Sequence, residues 1–282
     1  MNAVSVRGLR KSYGSAEAVR GIDFEIRTGE VFGLLGPNGA GKTTTIEILE
    51  GYRERDGGDV SVLGADPAKP TSAWRGRIGV VLQSSAMYET LTVRESLAAF
   101  AGYYEHPRPV DEVVGVVGLD EKADARVRSL SGGQRRRLDF GLALVGDPEL
   151  IFLDEPTTGF DPGARRAAWQ TIRSLKELGK TILLTTHYLD EAEQLSDRVA
   201  VLRDGRIVAT GTPADLTRTP ATEIRYRENG REVVLQTEEP TRVLHELTTA
   251  AIARGDEVHG LQVRRPSLEE VYLSLTEEEA AE

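Results

Sequence analysis

The stretch that most constrains this chain is Gly36-Pro37-Asn38-Gly39-Ala40-Gly41-Lys42-Thr43-Thr44. It fits G-x-x-x-x-G-K-[ST], a loop whose backbone cradles phosphates. The apolar run Val31-Phe32-Gly33-Leu34-Leu35 precedes it and reads as a buried parallel strand. Thr44-Thr45-Ile46-Glu47-Ile48-Leu49 follows and reads as the opening of a helix. In that order the glycines let the backbone take positive φ and approach a ligand closely. The loop amides, joined by the free N–H groups of the helix start, then form an anion nest. Lys42 can reach β- and γ-phosphates, and the Thr43 hydroxyl can ligate Mg²⁺. Alone, the loop implies a nucleotide triphosphate and no particular machine.

Composition narrows the choice. The formal net charge of the 282 residues is −10, which argues against a nucleic-acid partner, since that needs a basic face. Without cysteine there is no disulfide framework, zinc-thiolate site or thiol nucleophile. No apolar run approaches the roughly 18–20 residues of a membrane span, and the N-terminal residues alternate like a strand rather than forming a signal-peptide core. The expectation is a soluble, cytosolic chain that borrows any membrane role from a partner.

Residues 4–13 and 21–27 alternate apolar and polar positions, as in an antiparallel layer. Tyr13, in the short turn region before the phosphate loop, has an aromatic face that could stack on a nucleotide base; a plain surface tyrosine is the alternative. Residues 78–82 form a buried strand ending at Gln83, at the edge where open α/β sheets bind ligands. Residues 84–106 read as helical and aromatic, with Tyr88, Phe100, Tyr103, Tyr104 and a capping box from Thr92 to Glu95. Core packing and an exposed docking surface both fit those aromatics.

Ser131-Gly132-Gly133-Gln134 makes a second anion-binding helix start. Three arginines follow, either a solvated face or a support for the loop. Leu150-Ile151-Phe152-Leu153 runs straight into Asp154-Glu155-Pro156, and carboxylates at the tip of a buried strand are costly unless they face a cation or polar cleft. Asp154 fits a Mg²⁺ ligand and Glu155 a general base for attacking water. Gly159-Phe160-Asp161-Pro162 turns into a helix over 165–178, and another buried strand ends at His187, placed to meet a γ-phosphate. Asp204-Gly205 marks a hairpin.

The pattern changes near Pro213, which divides the chain into residues 1–217 and a small α+β domain, 218–282. The latter reads as a hairpin closed by Asn229-Gly230, a helix over 241–254, a strand over 257–263 and a last helix opened by the Ser267 to Glu270 capping box.

Four motifs thus stand in order: GPNGAGKTT, Gln83, LSGGQ, and LIFLDEP with His187 downstream. Together, over residues 4–217, they resemble the nucleotide-binding subunit of ABC transporters. LSGGQ is decisive, because other phosphate-loop ATPases lack it. The resemblance implies an α/β phosphate-loop NTPase: a RecA-like parallel core, an antiparallel β layer and a helical signature subdomain. It implies ATP and Mg²⁺, with Tyr13 on adenine and residues 36–44 around the phosphates. Gln83 would sense Mg²⁺ and the attacking water, Asp154 and Glu155 would be the metal and base pair, Asp161 would lie in the inter-subunit loop, and His187 would be the γ-phosphate switch. Phe160 stands where the family commonly has leucine and keeps the apolar character. The three arginines resemble variation on an exposed helix face.

The wording GPNGAGKTTTIEIL, LTVRESL and GDPELIFLDEPTTGFDP, with the ending Arg265-Pro266-Ser267-Leu268-Glu269-Glu270-Val271-Tyr272, is similar to drug-resistance (daunorubicin-type, ABC-2) exporter ATPases. Those pair with separate integral-membrane permease subunits at the cytoplasmic face of the membrane. The resemblance further implies a second copy of the chain, whose signature amides reach the γ-phosphate from across an ATP sandwich. An importer ATPase is the alternative within transporters. A soluble ABC ATPase acting on ribosomes or DNA fits less well, with one phosphate loop, no heptad run and an acidic balance. LSGGQ and the acidic pair disfavour a phosphate-loop kinase or GTPase. The transported molecule and the role of the C-terminal domain stay open.

Overall fold

The computed structural model describes residues 1–82, 88–216, 222–228 and 231–264. The chain divides into two compact units, Met1–Thr210 and Gly211–Glu282, whereas the change in sequence pattern places the boundary at 217/218.

The first unit opens with two long strands, β1 (Asn2–Tyr13) and β2 (Ala16–Arg27), paired antiparallel. A further strand, β4 (Gly57–Val62), lies on the other edge of β1. Alternate side chains, including Val4, Val6, Ile22, Phe24, Ile26, Val60 and Val62, point inward and are buried, as period-two geometry requires. β2 starts five residues before the alternation becomes readable at Gly21. Glu17 and Arg20 mask it there, while pairing with β1 supplies the backbone bonds.

The central sheet holds β3 (Val31–Leu35), β5 (Ile78–Val81), β6 (Leu150–Asp154), β7 (Thr181–Thr186), β8 (Arg198–Arg203) and β9 (Arg206–Gly211). Among the described residues its order is β5-β6-β7-β3-β8-β9, and β5, β6, β7, β3 and β8 run parallel. β9 turns back on β8 at Asp204-Gly205. These strands read as unbroken apolar runs because both faces are covered. Val31, Ile151, Leu153, Ile182 and Leu184 face one core with the helices. Phe32, Leu34, Leu150, Phe152 and Leu183 face the other, with the antiparallel layer and helix α1 (Lys42–Leu49).

On the first of these faces lie α3 (Val93–Ala101), α4 (Val110–Val116), α5 (Gly132–Leu144) and α6 (Pro162–Glu177); the short α2 (Ser72–Arg75) buries Trp74 in the second core, and α7 (Leu189–Leu195) follows β7. Three differences from the sequence reading have local causes. Of the helix expected over 84–106, the described residues form only α3, because the Thr92–Glu95 capping box is formed and makes Thr92 its N-cap; Gly102 is its C-cap. Residues 83–87, Gln83 among them, lie outside the described residues. α6 begins at Pro162 rather than Arg165, since the Asp161 side chain caps it and proline suits the first helical position. α4 is an element the sequence reading omits: it follows Pro109, and its valines bury against α3 and α5.

The second unit contains α8 (Pro213–Leu216), β10 (Thr222–Glu228), β11 (Arg231–Thr237), α9 (Pro240–Ala253) and β12 (His259–Arg264). β10 lies between β11 and β12, antiparallel to both. The Asn229-Gly230 turn and the helix expected from Ser267 lie outside the described residues.

The central sheet is the member whose packing most directly sets the loop positions. Phe152 is fully buried in the β6 layer. Phe152→Ala should cost about 3–5 kcal/mol, read as a lower denaturant midpoint with the slope unchanged.

Candidate active site

Parallel register brings three chain segments to one edge. Leu35 lies opposite Thr186 and Asp154 opposite Thr185, so the loops after β3, β6 and β7 leave the sheet at the same level. Gly36 N donates to Thr186 O at 3.2 Å, stitching the phosphate loop to the turn that carries His187.

The loop itself depends on glycine. Gly41 sits at φ 103°, and a Cβ there would lie 2.3 Å from the Ala18 carbonyl; one at Gly36 would lie 2.2 Å from the Leu202 carbonyl. The backbone therefore curls close against β2 and β8 with no room for side chains. A concave pocket of about 450 Å³ results, lined by Ala18, Asn38, Gly39, Gly41, Lys42, Thr43, Thr44, Glu155, Thr158 and His187.

Lys42 is buried at the heart of this loop. Its Nζ donates to Gly36 O at 2.8 Å and Pro37 O at 3.0 Å, and lies 3.2 Å from Glu155 Oε1. His187 Nδ1 approaches the same Glu155 oxygen at 3.4 Å without a hydrogen bond. Thr158 Oγ1 donates to Glu155 Oε2 at 3.1 Å. Glu155 is thus a carboxylate surrounded by donors and cations. Burial alone would raise its pKa, but the hydrogen bond and charge of Lys42, with Thr158 and His187, outweigh that and hold it below the usual range.

Asp154, one residue earlier, goes the other way. Burial raises its pKa, against hydrogen bonds from the Thr185 and Thr43 hydroxyls. A buried carboxylate touching the Thr43 hydroxyl is a hard-oxygen donor pair of the kind that suits Mg²⁺, which completes its octahedron with waters and phosphate oxygens. The residues present fit that ion.

Other predicted residues stand apart from this pocket. Gly36, Pro37 and Ala40 shape the loop from behind. Tyr13 is 43 % exposed, its ring flanked by Lys11 and Arg53 with cations 5.7 and 5.2 Å from the centroid. Asp161 is the α6 N-cap, accepting from Gly163 N at 2.8 Å and Ala164 N at 2.9 Å, bonds that lower its pKa. Ser131 caps α5 in a capping box with Gln134 (Gln134 N to Ser131 Oγ, 3.3 Å; Ser131 N to Gln134 Oε1, 3.0 Å), and Ser131 and Gly132 are exposed. None of Ser131, Gly132, Gly133 and Gln134 lines the pocket around Lys42.

The arginines after Gln134 are not merely an exposed helix face. Arg135 donates to Leu130 O and Arg128 O, and Arg137 to Gly118 O. Arg136 is buried, with its guanidinium donating to Pro156 O at 2.9 Å and to Leu82 O. Only the i, i+4 spacing to buried Phe140 places position 136 on an inward face, and a charged residue there reads as solvated until its neighbours are known. The aromatics divide as well. Tyr88 and Tyr103 are exposed, whereas Phe100 and Tyr104 pack on the core. Ala18 and Thr158 were missed, and only Thr158, beside the acidic pair, carried a signal.

Known proteins resemble this chain over most of its length. A family model described as ABC transporter matches residues 19–158. The chain is 40 % identical over 300 residues to the Nod factor export ATP-binding protein I of Rhizobium sp. (strain N33), covering 97 % of each. It is 34 % identical over 304 residues to the linearmycin resistance ATP-binding protein LnrL of Bacillus subtilis (strain 168), covering 97 % of this chain and 98 % of that one. Among solved structures it is similar to an ATP binding subunit of an ABC transporter, with TM-score 0.71, 26 % identity and coverage of 97 % and 99 %. The chain belongs to the ATP-binding subunits of ABC transporters, ATPases coupled to transport.

Proposed function

We propose that this chain hydrolyses ATP as the motor subunit of an exporter whose translocation path lies in separate integral-membrane permease subunits. The observation that carries the reading is the convergence of Lys42, Glu155 and His187 on one pocket at the carboxyl edge of the sheet. Export is supported by the relatives named for Nod factor export and linearmycin resistance. Among the described residues no helix is long and apolar enough to cross a membrane, in keeping with a peripheral subunit at the cytoplasmic face.

In this reading the loop amides and Lys42 bind the phosphates. Phosphate oxygens reaching Lys42 take over the charge now neutralised by Glu155, freeing that carboxylate. Glu155, ionised and beside the γ-phosphate position, accepts a proton from the attacking water. His187 contacts the γ-phosphate on the same side. Thr43 and Asp154 would hold Mg²⁺, with Gln83 as a further ligand or sensor; the ion would neutralise developing phosphate charge. Tyr13 stacks on adenine. The exposed Ser131 and Gly132 amides serve the nucleotide of a second copy, with Asp161 near that interface, so the working unit is a pair of cassettes closed around two ATP. Exposed Tyr88 and Tyr103 belong to the permease-facing side, and the C-terminal unit is an accessory domain.

Three outcomes test the reading. Glu155→Gln should bind ATP normally but lose at least about 100-fold in turnover and accumulate as an ATP-bound dimer by light scattering; wild-type turnover would refute the base assignment. Tyr13→Ala should raise KM for ATP several-fold with kcat nearly constant, and Tyr13→Phe should not. Co-expression with the membrane protein encoded beside this chain should yield a complex whose ATPase rate differs from that of the chain alone. A chain that ignores that protein and sediments with ribosomes would overturn the exporter reading.

A further inference from the structure

Two buried charged side chains touch the turn after Glu155, and the phosphate chemistry above uses neither. Arg136, on α5, donates from Nε to Pro156 O at 2.9 Å and from Nη1 to Leu82 O. Asp139 lies 3.7 Å from its guanidinium. Glu191, on α7, is fully buried, and its Oε1 accepts from Thr157 Oγ1 at 2.7 Å and from Trp169 Nε1 at 3.0 Å. The two consecutive residues following the base are therefore gripped from two different helices, one by a cation on its carbonyl and one by a carboxyl group on its hydroxyl.

The turn needs holding. Glu155 sits at φ 44°, a left-handed conformation that a non-glycine residue adopts at a cost. Its amide is anchored on β7, to Thr185 O at 3.2 Å and Thr185 Oγ1 at 3.0 Å, but that fixes only the strand side. Without a grip on residues 156 and 157 the backbone could relax toward the right-handed basin and swing the carboxylate away from His187. Burying two charges is itself unfavourable unless their partners are well placed. Simple packing would be served by apolar residues of similar volume.

We propose that Arg136 and Glu191 form a two-sided clamp on the turn at Pro156 and Thr157, positioning residues that hold Glu155 against His187 and the γ-phosphate. The clamp has one arm in the helix that begins with the signature residues and the other in the helix that follows the histidine. Arg136 also reaches the Leu82 carbonyl just past β5, so one guanidinium ties the turn after Glu155 to the end of a second strand. Burial pushes the Glu191 carboxyl upward, against the hydrogen bonds it receives from Thr157, Thr186 and Trp169.

The proposal rests on Glu155 being the base, and the experiment separates the two. Steady-state ATPase kinetics, nucleotide affinity and melting temperature are measured on the full-length chain and on T157V, R136M, R136K, E191L, E191Q and E155Q. A clamp predicts that T157V and R136M lose about tenfold or more in kcat with KM and nucleotide affinity within about twofold, since a small misplacement of a catalytic group acts on turnover. E191Q keeps the Oε1 acceptor and should restore most of the rate that E191L loses, and R136K, able to reach one carbonyl, should fall between R136M and wild type. Folded T157V and R136M proteins turning over within about twofold of wild type would overturn the clamp, as would equal rate losses in E191Q and E191L that track melting temperature. A slow E155Q beside fast T157V and R136M rejects the clamp alone; wild-type turnover by E155Q rejects the base assignment and the clamp with it.

Discussion

The parallel pairing of β3, β6 and β7 is the constraint on which the rest depends. Because these strands share direction and register, Leu35, Asp154 and Thr186 end at one edge, and the phosphate loop, acidic pair and histidine emerge side by side. An antiparallel neighbour would have sent one of these loops to the far edge of the sheet. Parallel pairing in turn demands that both sheet faces be covered, which is why an antiparallel layer packs on one side and a helical layer on the other. The two cores contribute the rigidity against which a loop with no room for side chains at Gly36 or Gly41 can hold its shape.

Electrostatics then divides labour between neighbours in the sequence. Asp154 and Glu155 are adjacent, yet burial drives one upward while Lys42 and its companions draw the other down. Carboxylates pushed apart in this way are suited to different work. The lowered Glu155 carboxyl favours its ionised form, as the proposed base requires, while Asp154, close to the Thr43 hydroxyl, suits the proposed cation. Lys42 is the hinge between the two states. Its ammonium satisfies two loop carbonyls and one carboxylate, so in the proposed reading an arriving phosphate would compete with Glu155 for it rather than fill an idle site.

How much of this was legible in the sequence follows from what each signal reports. Unbroken apolar runs at 31–35, 150–153 and 181–184 marked buried strands because nothing but a two-faced sheet needs them. Glycines and lysine at fixed offsets marked the loop for an equally local reason. Where tertiary pairing substitutes for local pattern, reading failed: Glu17 and Arg20 hid the first half of β2, and α4 was too short to show a period. The overlong helix expected over 84–106 erred by ignoring its own capping box at Thr92, a local rule that the structure obeys. In the site, Lys42, Glu155 and His187 carried motif signals. Arg136 and Glu191 did not, because a charged residue on a helix reads as solvated until its neighbours are known.

The two signature glycines show why such a cassette is an incomplete machine. The α5 N-terminus has its own capping box, so Ser131 and Gln134 already satisfy one another's backbone, and what remains free at the exposed end is the positive pole of a 13-residue helix. A pole of that kind attracts an anion, but the phosphate pocket of the same chain is lined by other residues. Within one chain, then, the helix pole at Ser131 and the pocket around Lys42 are separate surfaces. In the proposed pair a second copy in inverted orientation would bring them together, each copy's helix pole meeting the open side of the other's phosphate. In that proposed pair, anions bridging two positive poles would bind the copies while the bridge is intact and release them once it is cut, so hydrolysis with Glu155 as the proposed base would become a mechanical step.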